Sequence, residues 1–373
     1  MGKTVKIIKR TFIGILLVSV STVVIFGILL LLSPNPPIES LNIAQAEVGR
    51  AKDVEAQKYA KPTIEAAEDL LAQAQFEWKL QNQKYSFLRD YGKMIKLTKD
   101  ATEKAKQAFE KSVSLRSTMQ VELGAKLKEV DEQLNHFDQN YADLPLKGTT
   151  RQNYTTARLR YVESKEAYER GAYKDVGFNL DVASQLISRS VKDAHNYLSN
   201  YFENLGKWRR WADETVSWSS RSNASAIIVD KFAHKIYVYQ DGKLKKEFSA
   251  ELGPNWIGAK QYRGDKATPE GKYHITKKKT SKYTGYYKAL LINYPNDEDI
   301  QRYSIGVKNG NIPRRGIGNL IEIHGDGGRG INWTDGCVAL TNNDIDKLFD
   351  CVGVGTPVTI VGSLRSLKEI NGF

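Results

Sequence analysis

The uncharged run from Phe12 to Leu32 restricts this chain more than any other stretch. At 1.5 Å per residue, a helix over it is about 30 Å long, the thickness of a bilayer's hydrocarbon core. Lys3, Lys6, Lys9 and Arg10 precede it. Positive charge on that side predicts an N-terminus inside and the rest of the chain exported. Ser33-Pro34-Asn35-Pro36-Pro37 then ends the helix, because proline lacks the N–H that a helix interior needs. A cleaved signal peptide is the rival reading. Its apolar core would be unusually long, and the only nearby A-x-A pattern, Ala44-Gln45-Ala46, lies within a helical pattern. No Cys follows the run, which excludes a lipoprotein anchor. Residues 1–37 are therefore read as a cytoplasmic tail and a single-pass anchor in the cytoplasmic membrane, spanning at 12–32, with all that follows on the extracytoplasmic, periplasmic side.

Export gives the charge its meaning. The chain has 373 residues and a formal net charge of +12, which favours anionic polymers or lipid head groups as partners. Nucleic acid is excluded as a partner, since the chain leaves the cytoplasm and has no basic–aromatic recognition motif. The five histidines, His136, His195, His234, His274 and His324, show no H-x-x-x-H or Cys/His spacing, so no metal site is expected. Gly264 to Gly271 lacks the Lys-Ser/Thr of a phosphate loop. No cofactor is expected.

Residues 38–220 read as helical throughout. Ala67, Leu70, Leu71, Ala74 and Trp78 share one helix face; so do Leu123, Leu127, Val130, Leu134 and Phe137, and so do Leu180, Ala183, Ile187, Val191, Ala194 and Leu198. Leu144-Pro145-Leu146-Lys147-Gly148 breaks the pattern, and Gly171-Ala172-Tyr173 marks another turn. Thr63–Phe109 and Gln152–Leu198 each read as a shorter helix, a turn near a tyrosine (Tyr85, Tyr173) and a longer, alanine-containing helix, suggesting a duplicated hairpin. The alanines imply close helix approach. Trp78, Tyr161, Tyr168, Trp208 and Trp211 read as packing residues. The region carries no catalytic constellation, so its expected role is a spacer or a docking surface for a protein partner.

Residues 221–373 change character. Ala226–Asp230 and Lys235–Tyr239 are β-rich, and Asp241-Gly242 is a hairpin turn into Lys243–Leu252. Further strands are expected at Gly271–Thr276, Ala289–Tyr294, Leu320–His324 and Pro357–Val361, with one helix at Asn342–Val352.

Within this domain, Ile321 to Leu348 concentrates the chemistry. His324 closes a strand, and Cys337 sits in a turn before a helix that starts at Thr341. The glycines between them let the loop fold back and bring thiol to imidazole. An imidazole that takes the thiol proton makes cysteine a nucleophile for acyl transfer. Gly336 lets backbone N–H groups face a developing oxyanion. On this pair alone a second reading stands beside the first: Cys337 as a small buried hydrophobe and His324 as a structural residue. Cys351, the other cysteine, is expected on the last helix, facing inward with Leu348 and Val352. A Cys337–Cys351 bridge would remove the nucleophile.

Four segments in order resemble the L,D-transpeptidase (YkuD-like) catalytic domain family. They are Gly264-Asp265-Lys266-Ala267-Thr268-Pro269-Glu270-Gly271-Lys272-Tyr273, Leu291–Asn296, the His324–Cys337 stretch and Gly355-Thr356-Pro357-Val358. The resemblance covers roughly Ala226 to Gly362. It implies a mostly-β, L,D-transpeptidase-like C-terminal domain, which with the N-terminal transmembrane helix and the all-α helical-hairpin region read above makes an α+β multidomain chain. It implies a membrane-anchored enzyme acting on peptidoglycan stem peptides. Cys337 would attack the carbonyl of a diaminopimelate-like third residue, and His324 would act as base. The Gly325 carbonyl would orient the imidazole, N–H groups around Asp335, Gly336 and Cys337 would hold the oxyanion, and Trp333 and Thr334 would line the cleft. The chain departs from the family in having Ala339 where many members have Arg, and in a shorter His-to-Cys spacing. Trp333-Thr334 resembles the branch reading D-W-T-x-G-C-[IV]-A-L, some of whose members resemble amidases. A hydrolase of the same bond class, either an L,D-carboxypeptidase or an amidase detaching wall-bound protein, is therefore the alternative. A non-catalytic cell-wall-binding scaffold is the third reading.

Overall fold

The computed structural model describes residues 2–371; residues 1, 372 and 373, at the ends of the expected anchor and catalytic domain, lie outside the described residues. The first helix, α1 (Gly2–Leu31), leaves its apolar side chains from Phe12 to Leu31 uncovered by the rest of the chain. It is long and apolar enough to cross a membrane, and a signal sequence would meet the same description. Its hydroxyls are satisfied within the helix: Ser19 Oγ donates to Ile15 O at 2.7 Å and Thr22 Oγ1 to Val18 O at 2.6 Å. Hydrocarbon requires such internal pairing because it offers polar groups no partner.

The chain divides into two compact units, residues 1–127 with 164–177 and residues 128–163 with 178–373. The first contains α2 (Ile38–Asp53), α3 (Ala56–Tyr59), α4 (Lys61–Asn82) and the beginning of α5 (Gly92–Tyr141). Its core is built largely from alanine: Ala44, Ala51, Ala56, Ala60, Ala67, Ala101, Ala105 and Ala108 are buried beside Val48, Ile64 and Leu71. Methyl-sized side chains let these helices pack at short interaxial distance. On α4, Ala67, Leu71 and Ala74 are buried, and Leu70 and Trp78 half-buried.

The second unit takes the end of α5, most of α6 (Gly148–Glu169), the greater part of α7 (Tyr173–Phe202) and all of α8 (Leu205–Ser222). The apolar stripe of α7 turns Leu180, Ala183, Ile187, Ala194 and Leu198 inward, with Val191 half-buried. Val130, Leu134 and Phe137 of α5 are likewise buried. Both α4 and α6 are 22 residues long, and each is followed by a turn and a longer helix.

The rest of this unit is one curled sheet with α9 (Asp297–Lys308), α10 (Asn342–Cys351) and α11 (Leu367–Asn371). Its strands are β1 (Ser225–Asp230), β2 (Lys235–Gln240), β3 (Lys243–Ser249), β4 (Gly271–Thr280), β5 (Lys288–Ile292), β6 (Glu322–His324), β7 (Val338–Ala339) and β8 (Pro357–Val361). They lie in the order β3-β2-β1-β8-β4-β5-β6-β7. The β1–β8 and β6–β7 pairs are parallel and the others antiparallel. Beyond β3, Glu251 exchanges two backbone hydrogen bonds of 2.8 Å with Ala339 of β7, so the sheet curls until its far edge returns to its beginning. β1 is buried on both faces, from Ala226 to Asp230, because α8 covers the side the curled sheet leaves open. A strand buried on both faces reads as a continuous apolar run, as Ala226-Ile227-Ile228-Val229 does. Trp208 of α8 lies so close to Gly362 that a Cβ there would meet its ring at 2.3 Å. Thr215 and Thr359 share a hydrogen bond of 2.6 Å.

Several features differ from expectation, the unanticipated β7 and α11 among them. Helix α9 was not anticipated; a reciprocal capping box starts it, with Asn296 Oδ1 accepting from Asp299 N at 2.9 Å and Asp299 Oδ2 accepting from Asn296 N at 3.1 Å. The strand expected from Leu320 begins only at Glu322, because Leu320 takes a positive φ of 61° and turns out of the ladder. Cys351, expected to be buried and facing inward, is half-buried, while Leu348 and Val352 are buried. Both cysteines are free thiols.

Candidate active site

His324 ends β6 and Cys337 immediately precedes β7. The parallel register pairs Ile323 with Val338 and His324 with Ala339, which sets Cys337 beside Glu322. Side chains alternate along strands, so Glu322, His324 and Cys337 point to one face. His324 is then two residues along and one strand across from Cys337, about 8 Å between Cα atoms for ordinary strand spacing. The Glu322 backbone N–H donates to Cys337 Sγ at 3.4 Å, and Sγ faces Leu320 O at 3.7 Å.

The imidazole is fully buried and tightly fixed. Its Nδ1 lies 2.6 Å from the Gly325 carbonyl oxygen. A carbonyl only accepts, so this contact places the proton on Nδ1 and leaves Nε2 as an acceptor. Nε2 is buried and has no hydrogen-bond partner among the described residues, Cys337 Sγ included. Tyr286 stacks on the ring at 3.5 Å between centroids and 10° between planes, and Trp333 meets it edge-on at 5.8 Å. Burial pushes the His324 pKa below its ordinary value, against the opposing pull of the Gly325 carbonyl. Burial also pushes the Cys337 thiol up to about 11, with the Glu322 N–H acting the other way. At rest the proton therefore belongs to sulfur, and the imidazole is neutral and able to receive it.

The turn that carries Cys337 is shaped by its neighbours. Buried Thr334 donates from Oγ1 to Cys337 O at 2.7 Å and accepts from Gly336 N at 3.2 Å. Gly336 has φ +122°, and a Cβ on it would lie 2.5 Å from Ala267 O; only glycine meets both conditions. Asp335 is exposed at the crest of the turn. Half-buried Trp333 donates its indole N–H to Glu251 Oε2 at 2.8 Å. The structure thus sets Gly325 and Trp333 against His324, joins Thr334, Gly336 and Cys337 in one turn beside the neighbouring strand, and leaves the Asp335 side chain exposed on that turn.

Four neighbours were not singled out in the sequence. Tyr286 arrives from the loop before β5. Glu322 forms a buried ion pair with Lys279 at 2.5 Å. Glu251 comes from the segment after β3, and Arg329 lies over Trp333 with Cζ 3.4 Å from the ring centroid. Only Glu322 had a local signal, the two-residue alternation with His324. A cleft of about 410 Å³ runs along the seam beside Glu251, lined by His234, Lys235, Gly330, Asn332 and Thr341 among others. Among the described residues, no group of three His, Cys, Asp or Glu side chains gathers as a metal site.

Residues 224–360 match the family model of the L,D-transpeptidase catalytic domain, YkuD. Among curated proteins, YqjB of Bacillus subtilis is 28% identical over 39% of this chain and 75% of its own length. YafK of Escherichia coli K12 is 33% identical over 28% of this chain. Both names carry the designation L,D-transpeptidase. Solved structures aligned with the chain include Bdellovibrio bacteriovorus Bd1075, at 24% identity over 41% of this chain with a TM-score of 0.30. An L,D-transpeptidase from Mycobacterium smegmatis aligns at 16% identity over 37% of this chain, with a TM-score of 0.25. The chain spans 34% of YafK, 54% of the Bd1075 chain and 58% of the mycobacterial chain.

Proposed function

With its C-terminal domain in the L,D-transpeptidase catalytic-domain family, we propose that this protein is a membrane-anchored, cysteine-dependent acyltransferase acting on peptidoglycan stem peptides. One observation carries the mechanism. The buried Nε2 of His324 has no partner, on an imidazole held by its other nitrogen on the sheet face that bears Cys337. A buried, unpaired acceptor costs free energy, so its persistence on the strand that adjoins Cys337 fits a group that takes up a proton once bound substrate brings thiol and ring together.

The reaction begins with a neutral pair. As Cys337 Sγ attacks the scissile carbonyl carbon, its proton passes to His324 Nε2 and the carbonyl oxygen becomes an oxyanion. Backbone N–H groups of Asp335 and Cys337 receive that oxygen, since the Gly336 N–H is already given to Thr334 Oγ1 at 3.2 Å. The Gly325 carbonyl steadies the imidazolium that forms. Collapse of the tetrahedral intermediate breaks the C–N bond, and the Nε2 proton goes to the leaving amine. A thioester on Cys337 remains. An acceptor amine gives up a proton to His324, attacks the thioester and forms the new amide, restoring the thiol. Water in place of the amine gives a carboxylate. Trp333 and Thr334 shape the cleft. Residues 12–32 span the cytoplasmic membrane with the N-terminus inside, and residues 38–220 serve as spacer or docking region.

The test is product analysis. Full-length protein in detergent is incubated with tetrapeptide muropeptides, and the products are resolved by mass. Cross-linked dimers support transpeptidation, and tripeptides without dimers assign a hydrolase. Unaltered substrate, or equal turnover by Cys337→Ala, overturns the enzymatic reading.

A further inference from the structure

Arg329 lies on the loop between His324 and Cys337. Its guanidinium rests flat against Trp333, and Nε donates to Asp326 O at 3.2 Å. The support beneath it is itself anchored. Glu251 accepts from the Trp333 indole at 2.8 Å and from Gly330 N at 2.6 Å, and Asp326 N donates to Asn342 Oδ1 at 2.7 Å. The two terminal nitrogens have no acceptor among the described residues, and the side chain is exposed. A planar guanidinium with both outer nitrogens free matches a carboxylate bidentately, and fixing it beforehand removes most of the ordering cost. Trp333 meets both Arg329, at 3.4 Å from Cζ to the ring centroid, and the His324 ring, at 5.8 Å between centroids, so this cation stands close to the reacting centre.

We propose that Arg329 is a specificity-determining residue that binds a substrate carboxylate adjacent to the scissile bond. The proposal rests on the acyl-transfer reading above. Two carboxylates have the required chemistry: the α-carboxylate of the leaving residue and the side-chain carboxylate of the acyl residue.

The experiment compares kcat/KM of the full-length protein, Arg329→Ala and Arg329→Lys on three peptides: the free acid, the form amidated at the leaving residue and the form amidated on the acyl side chain. The wild type is expected to prefer the free acid over one of the amidated forms by about 10- to 100-fold, the scale of charge-assisted hydrogen bonding. The amidated form that loses turnover identifies the carboxylate. Arg329→Ala brings that ratio close to one, and Arg329→Lys keeps part of it, since an ammonium supplies charge without the fork. Equal wild-type rates on all three peptides, or an unchanged ratio in Arg329→Ala, overturns the proposal while leaving acyl transfer standing. No wild-type turnover of any peptide overturns both.

Discussion

In the proposed reaction, a protonated thiol and a neutral imidazole set the pH behaviour of the site. His324 is held below its ordinary value of about 6.5, chiefly by burial. Acyl transfer needs Nε2 unprotonated, so activity is retained as pH falls through the ordinary histidine range and lost only below it. The Cys337 thiol, at about 11, leaves little thiolate at neutral pH, so iodoacetamide should react slowly there and faster toward pH 11. A kcat/KM profile with its acid limb at or above 6.5, or rapid alkylation at pH 7, would contradict this picture. Gly336→Ala is a second test. The positive φ and the Ala267 carbonyl force the turn to move, and displacing a nucleophile by about 1 Å can cost about 100-fold in rate. Steady-state kinetics on a variant with unchanged circular dichroism would measure it. His324 and Cys337 were legible because a single imidazole and a single thiol flanked a glycine-rich loop. Tyr286, Glu251 and Arg329 were not, because they reach the site through sheet closure and loop geometry rather than through spacing along the chain.

Among the elements, β1 and the loop before β4 are joined by a buried cation. Lys231 Nζ donates to Gly258 O at 2.6 Å, Thr268 O at 2.9 Å and Glu270 Oε1 at 2.8 Å, and Tyr201 of α7 donates to the same carboxylate oxygen at 2.8 Å. Lys231→Met strands Glu270 and two carbonyls, for an expected loss of about 3–5 kcal/mol in stability. Denaturant unfolding would measure it, and adding Glu270→Leu should recover part of the loss; a single variant as stable as wild type would refute the assignment. The apolar periodicity of α5 and α7, the continuous apolar run of β1 and the alternation of β2 could be read directly, since each follows from which faces the element buries. Helix α9 escaped because only one of its residues, Asp299, is buried, so it has no apolar stripe to read. Strand β7 is two residues long, and it owes its existence to β6 and Glu251 on either side.

For the molecule as a whole, the uncovered apolar surface of α1 leads to a prediction of location. The full chain should sediment with membranes and resist alkaline carbonate. Protease added to wall-stripped cells should digest the sheet domain and spare the N-terminus; a soluble, shortened chain would instead mean that α1 is removed as a signal sequence. The close fit of Trp208 against Gly362 has a consequence for anyone hoping to borrow this chemistry. A cut at the composition change near residue 221 would strip a tryptophan out of its socket and lay bare the apolar back of β1 and β8. The reactive module therefore cannot be excised there as a cassette; α8 has to travel with it, however much it looks like part of the stalk.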